Sequence, residues 1–266
     1  MLLVMDVGNT NTVIGLYQND RILSHWRIRT EKEATVDEFG ILLRNLFQSQ
    51  NLTLEPGTDL IISCVVPPMN NTLEDFARRY LKVHPLWVGP GIKTGMPIHY
   101  DNPREVGADR IVNAIAAYEQ VHGAAVVVDF GTATTFDVIS PQGEYLGGVI
   151  APGVTISCEA LFLKASKLPR VEIFAKPKSI IAKDTISSMN AGIIYGYAGL
   201  VDGIVSRIKE ALGCQTRVIA TGGLACLIAS ETASIDTVDE YLTLKGLKLI
   251  YERNRPRREE RGKGGA

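Results

Sequence analysis

The chain carries no basic excess: 28 Lys and Arg stand against 29 Asp and Glu, a formal net charge of −1. A nucleic-acid surface needs such an excess to replace the counterions of a phosphate backbone, so no nucleic-acid partner is expected. No apolar run reaches the length that spans a bilayer, and the apolar start Met1 to Met5 is broken at once by Asp6, with no basic stretch before it. The expectation is no membrane segment and a cytoplasmic protein. Cys64, Cys158, Cys214 and Cys226 are widely scattered and contain no Cys-x-x-Cys pair. Neither a zinc site nor a disulfide frame is indicated, and buried or idle thiols are expected. What is present is an ordinary globular composition, 45% hydrophobic and 21% charged over 266 residues, enough for one large domain or two medium ones.

The chain is organised around Val4 to Thr12, where an apolar strand runs into Asp6, Gly8 and the polar turn Asn9-Thr10-Asn11-Thr12. A carboxylate held at the end of a strand can organise a hydrated Mg²⁺, Gly8 lets the backbone approach a phosphate, and Asn9, Thr10 and Asn11 offer donors. The same residue types also make a plain hairpin turn, and one copy leaves the two readings evenly matched. A second copy tips the balance: in Val127 to Phe136, Asp129 stands over Asp6, Gly131 over Gly8 and Thr135 over Thr12. Both copies continue through an apolar strand, a turn (Gln18-Asn19-Asp20; Ser140 to Gly143) and a further strand. A repeat this long suggests two related domains whose turns line one cleft.

In chain order, Thr35-Val36-Asp37-Glu38 has capping-box spacing before a helix with Phe39, Leu42, Leu43, Leu46 and Phe47 on one face. The continuous apolar run Asp59 to Val66, stopped by Pro67-Pro68, reads as a buried parallel strand. A helix from about Asn70 to Leu81 and a strand over Pro85 to Val88 follow, and the order βββαβαβ suits an RNase H-like unit. From Gly89 to Arg110 prolines and glycines prevent regular structure, and loops of that length tend to be functional. They deliver Asp109 and Arg110 to the start of a helix. A helix N-terminus suits the carboxylate but not the guanidinium, so Arg110 is expected to have an anionic partner. Asp109 reads equally as a helix cap, with Arg110 paired to Glu105, or as a catalytic carboxylate. Further on come the glycine-flanked strand at Gly147 to Gly153, a helix over Val154 to Leu163 and a long helical segment from Asp184 to Leu212. A strand then ends in Thr221-Gly222-Gly223, a common entry for a nucleotide and equally a tight turn. The last helix is expected from Tyr241 to Arg253, and residues 254–266, charged and without apolar anchors, read as a disordered tail.

The long segment is apolar on more than one face, and Gly192, Gly196, Gly199 and Gly203 form a stripe at spacings of four, three and four. Each helical Gly costs roughly 1 kcal/mol against Ala, a loss that close packing can recover. The partner is either this same chain or a second subunit.

Taken in order, Asp6-x-Gly-Asn-Thr, Gly107-Ala-Asp-Arg110, Asp129-x-Gly-Thr-Ala-Thr-Thr-x-Asp137 and Gly147-Gly-x-Ile-x-Pro-Gly153 resemble the type III pantothenate kinases. The resemblance runs to about Arg253, includes Tyr100 and the segment around Thr185, and departs at Asp184, where the family more often carries Asn. It implies an α/β fold of two RNase H-like domains of the actin-like ATPase superfamily, residues 1–112 and 113–253, with a nucleotide cleft between them. The implied activity is ATP-dependent phosphorylation of pantothenate, the first step of coenzyme A biosynthesis. Carried over residue by residue, Asp6, Val7, Gly8, Asn9, Thr10, Asn11, Thr12 and Val13 would bind ATP, with Thr132 from the second turn, and Asp6 would reach Mg²⁺ through water. Asp129 would hold a monovalent cation, K⁺ or NH₄⁺. Tyr100, Gly107, Ala108, Asp109 and Arg110 would bind pantothenate, with Asp109 as proton acceptor, and Thr185 would reach the substrate across a homodimer. The alternative is a nucleotide-binding regulatory relative without this activity. Such a protein is expected to lose the acceptor base or the phosphate-side carboxylate, whereas Asp6, Asp109 and Asp129 are all present.

Overall fold

The computed structural model describes residues 1–171 and 176–255. The strand-turn-strand opening forms β1 (Leu2–Val7), β2 (Asn11–Gln18) and β3 (Arg21–Arg29), an antiparallel meander. Helix α1 (Val36–Ser49) begins at the expected capping box: the Glu38 amide donates to Thr35 Oγ1 at 3.3 Å, and the Thr35 amide donates to Glu38 Oε2 at 2.8 Å. The apolar run forms β4 (Asp59–Cys64), parallel to β1 and buried along its centre. Next, α2 (Asn70–Phe76) passes into a π-helical turn over Ala77–Leu81, and β5 (Leu86–Trp87) closes the sheet in the order β3-β2-β1-β4-β5. Asp6 therefore lies at the end of the central strand.

The second half repeats this plan. After α3 (Ala108–Val121) come β6 (Ala125–Phe130), β7 (Ala133–Ile139) and β8 (Tyr145–Pro152), then α4 (Val154–Lys164) and α5 (Thr185–Leu212). β9 (Arg217–Gly222), α6 (Ala225–Ala229), β10 (Thr237–Val238) and α7 (Leu242–Asn254) follow. The sheet order β10-β9-β6-β7-β8 is the first sheet's order with each strand replaced by its counterpart. The sequence repeat is thus a structural one, with Asp6 and Asp129 in the same position on the same central strand.

Strand alternation sorts the apolar residues into three layers. Leu3, Met5 and Val7 face the buried side chains of α1 and α2, and Val126, Val128 and Phe130 face α4, α5 and α6. The opposite faces, Leu2 and Val4 in one sheet and Ala125 and Val127 in the other, share a middle core with α3 and α7. Those two helices cross tightly: a Cβ on Gly246 would stand 2.1 Å from the Val112 carbonyl oxygen, so only glycine fits there. The expected boundary at 112/113 falls inside α3, because that helix belongs to the layer both sheets share. Helix α7 ends one residue beyond the expected Arg253. Asn254 Nδ2 donates to the Lys93 carbonyl at 2.9 Å and its Oδ1 accepts from the Lys93 amide at 3.0 Å, which ties the helix end to the 89–107 segment. Of the expected tail, residues 256–266 lie outside the described residues.

Candidate active site

The two repeated turns meet. Thr10 Oγ1 and Thr132 Oγ1 lie 2.9 Å apart, although 122 residues separate them in sequence. Each turn closes on itself, through Gly8 N to Asn11 O at 3.0 Å and Gly131 N to Ala133 O at 3.1 Å. The first is braced by Thr30, whose hydroxyl donates to the Gly8 carbonyl at 2.7 Å and lies 2.9 Å from Thr12 Oγ1. The side chains of Val7 and Thr12 are buried, while Asn9, Thr10, Asn11 and Thr132 are exposed. Of the expected phosphate-binding set, then, Val7 and Thr12 build the turn and the exposed members present donors. Val13 is half-buried on β2 behind them.

Four carboxylates converge below these turns, and each is pushed up from its ordinary value. Burial drives Asp6 up to about 8, with the charges of Asp109 and Asp129 adding to it. Burial likewise takes Asp129 to about 7, assisted by Asp109 and Asp137. Asp109 is raised by burial, against the Arg110 amide and the Arg110 charge. Clustered acids raised in this way mark a site built to receive positive charge. Among the described residues no group of three or more His, Cys, Asp or Glu is arranged to enclose a metal. Carboxylate oxygens are the donors a hard cation such as Mg²⁺ takes, with its other ligands coming from water and phosphate.

Asp129 is held by a relay. Asn113 Nδ2, from the buried face of α3, donates to Asp129 Oδ2 at 3.1 Å, and Thr243 on α7 donates to Asn113 Oδ1 at 2.7 Å. This leaves Asp129 Oδ1 facing the glycine turn after β9, where a Cβ on Gly222 would come within 2.6 Å of it.

Asp109 and Arg110 open α3, as expected, with Gly107 as the N-cap. Asp109 Oδ1 accepts from the Arg110 amide at 2.9 Å, so the carboxylate is anchored in the first helical turn while it faces the other acids. A Cβ on Gly107 would lie 2.4 Å from that oxygen. Arg110 does have an anionic partner, but not Glu105, which accepts from Asn102 instead. Its Nε donates to Asp137 Oδ1 at 2.7 Å, and the Tyr145 hydroxyl donates to the same oxygen at 2.8 Å. The guanidinium also lies over the Tyr145 ring, 6.0 Å from its centre, and Tyr100 sits 6.4 Å beyond. Arg110 Nη2 is buried without a partner among the described residues and stands 3.0 Å from where a Cβ on Gly148 would be. A buried cationic donor left open in this way suits an anionic or carbonyl group of a substrate.

Thr185 stands apart. It is exposed at the start of α5, lining a cavity of about 360 Å³ with Leu161, Met189 and Ile193 among others. Asp184, the departure from the family pattern, caps α5 through Oδ1 and the Ser187 amide at 2.8 Å, a role Asp and Asn fill equally. Tyr145, Asn113 and Thr30 were not singled out in the sequence, and Asp137, the end of the motif that begins at Asp129, was given no role. The signal for a buried role at Asp137 is a carboxylate inside the otherwise apolar Phe136-Asp137-Val138-Ile139.

The model of the type III pantothenate kinase family matches residues 2–207. The type III pantothenate kinase of Syntrophobacter fumaroxidans is 63% identical over 96% of this chain and 99% of its own length. That of Syntrophus aciditrophicus is also 63% identical, over 96% of this chain and 100% of its own. A solved structure of a conserved Campylobacter jejuni protein, described as a Baf family transcriptional activator, superposes with a TM-score of 0.59 at 18% identity, covering 95% of this chain and 98% of that one. The fold is α/β with two sheets of like strand order, as expected, and a solved structure of the ethanolamine utilization protein EutJ from Carboxydothermus hydrogenoformans superposes with a TM-score of 0.54 at 14% identity, covering 94% of this chain and 89% of that one.

Proposed function

The chain belongs to the type III pantothenate kinase family, and from that premise we propose how its residues divide the work. The activity is ATP-dependent phosphorylation of pantothenate, which opens coenzyme A biosynthesis. The observation that carries the assignment of the site is the meeting of the Thr10 and Thr132 turns above Asp6, Asp109 and Asp129. Phosphoryl transfer is chiefly positioning and charge neutralisation, so small donors for phosphates, carboxylates for cations and one base for the acceptor hydroxyl are the parts required.

In this reading the ATP phosphates lie across Gly8 to Asn11 and Thr132. Asp6 would hold Mg²⁺ and Asp129, fixed by Asn113, would hold K⁺ or NH₄⁺, and the charge they supply would offset that of the phosphates. Pantothenate lies between Tyr100 and the start of α3, with Arg110 Nη2 as a donor to it. Asp109 accepts the proton of the primary hydroxyl as that oxygen attacks the terminal phosphorus. A carboxylate raised by burial is a better base than a free one, and the Arg110 amide and charge oppose that rise.

We read the working unit as a homodimer in the cytoplasm, with residues 1–112 and 113–253 as the two lobes of each subunit, joined through α3. Among the described residues nothing beyond the helix's own backbone lies within 4 Å of a Cβ placed on Gly192, Gly196 or Gly199, while Gly203 is met by Arg207 of the same helix. Large apolar side chains are exposed on β8, α4, the segment before α5 and α5 itself: Ile150 is 63% exposed, Leu163 72%, Ile181 79% and Ile186 52%. Exposed apolar side chains of that kind support a protein interface, and an interface along α5 would place Thr185 beside the neighbouring subunit's substrate. The test of the activity is ADP release with pantothenate, a sugar or no acceptor, each with and without K⁺. Release dependent on pantothenate and stimulated by K⁺ is expected; release independent of pantothenate would favour a nucleotide-binding relative.

A further inference from the structure

Arg27 lies on the edge strand of the first sheet, paired in register with Val13 beside the phosphate turn. Its side chain leaves that sheet and crosses to the second. Nη1 stands 2.7 Å from the position a Cβ on Gly223 would take, at the turn that follows β9. Its charge is felt by both Asp6 and Asp129, one on each side of the cleft. Its strand neighbour Arg29 is within 3.9 Å of Glu31, whereas Arg27 has no ion pair among the described residues. The other arginine in the cleft, Arg110, is already committed to Asp137.

The charge balance gives this arrangement a purpose. A nucleotide entering the cleft adds several negative charges to a site that already holds Asp6, Asp109 and Asp129. A divalent cation offsets part of that charge, and a guanidinium free of protein partners offsets more, with a planar fork that matches two phosphate oxygens. The fork stands at the Gly222-Gly223 turn with its charge acting on Asp6 and Asp129, which in the proposed reading is the side of the phosphate tail and not that of the acceptor alcohol at Tyr100 and Arg110.

We propose that Arg27 grips the terminal phosphates of the nucleotide, as a phosphate-binding residue supplied by the first sheet across the mouth of the cleft to the glycine turn of the second. This rests on the cleft being the nucleotide site. A side chain at position 223 would meet the guanidinium in this pose.

The test compares the binding of adenosine, ADP and ATP, each with Mg²⁺, to the wild type and to the Arg27→Gln and Arg27→Lys variants by calorimetry, alongside steady-state kinetics. In Arg27→Gln, affinity for ATP and ADP should fall at least tenfold while adenosine binds as before. Turnover should fall on the order of 10²-fold, with the pantothenate KM within threefold of wild type. Arg27→Lys, which keeps the charge but not the fork, should lie between. ATP affinity within threefold of wild type in Arg27→Gln would overturn the proposal, as would an equal loss for adenosine and ATP. Failure of the wild type itself to bind ATP would instead refute the cleft as the nucleotide site.

Discussion

Replacing Asp137 with Asn removes one charge and almost no volume from the best-defined ion pair in the site. Asp137 is fully buried and the Arg110 side chain is 10% exposed, so the charge left on the guanidinium would have little water to turn to. Breaking a buried pair by removing one partner costs about 3–5 kcal/mol. The Asn carbonyl can still accept from Arg110 Nε and the Tyr145 hydroxyl, which argues for the lower end, ~3 kcal/mol. For a chain of this size that corresponds to a fall in melting temperature of roughly 6–12 °C. The measurement belongs at pH 7.5, because burial holds the Asp137 carboxyl at about 6 against the pull of Arg110, and above that value the native pair is ionised. Tyr145→Phe removes only the 2.8 Å hydrogen bond and should cost ~1 kcal/mol. Function separates orientation from bulk stability. In Asp137→Asn the pantothenate KM should rise about tenfold as Arg110 loses its fixed pose, while the ATP KM stays within twofold because the Thr10 and Thr132 turns are untouched. A variant that melts within 2 °C of wild type and keeps its pantothenate KM would refute the role given to Asp137.

Two further outcomes follow from the same geometry. Asp6 and Asp129 have folded values of about 8 and about 7, above the ordinary carboxylate value. The ligand-free protein is therefore most stable below about pH 4 as far as these groups are concerned, and loses that contribution as pH rises through about 8, by up to ~1.4 kcal/mol per pH unit for each. Mg²⁺ with ATP should consequently raise the melting temperature more at pH 8 than at pH 5.5, and a pH-independent increment would count against the raised acids. For the shared site, an Asp109→Asn subunit mixed with a Thr185→Ala subunit should regain part of the activity, since one site of the mixed dimer has both residues intact. A monomer by light scattering, or no recovery after verified subunit exchange, would count against it.

The sequence exposed what short-range rules control. The capping box at Thr35 and Glu38 formed as its spacing required, and the apolar run before Pro67 became a parallel strand because it had no polar face to offer solvent. The repeat around Asp6 and Asp129 was legible because both copies keep the same carboxylate, glycine and threonine offsets, and the two sheets then proved identical in order. Partnerships across the fold were not legible. Arg110 at a helix N-terminus demanded an anion, yet local sequence offered Glu105, while the true partner lies 27 residues away on β7. Asn113 looked like any polar residue on a helix until α7 brought Thr243 to one side of its amide and β6 brought Asp129 to the other. The helical continuation over Ala77–Leu81 was expected, but not its wider π geometry. The glycine stripe of α5 left two readings open, and among the described residues the structure sets no neighbour within 4 Å of a Cβ on Gly192, Gly196 or Gly199.

The role of Asp109 is tested most directly by Asp109→Asn, assayed by pantothenate binding in calorimetry and by turnover under saturating ATP. The amide preserves the acceptor for the Arg110 amide, made at 2.9 Å in the native protein, and removes the ability to take a proton. Turnover should fall on the order of 10²-fold or more while pantothenate still binds; near-normal turnover would contradict proton acceptance at Asp109 and leave it as a residue that only caps α3.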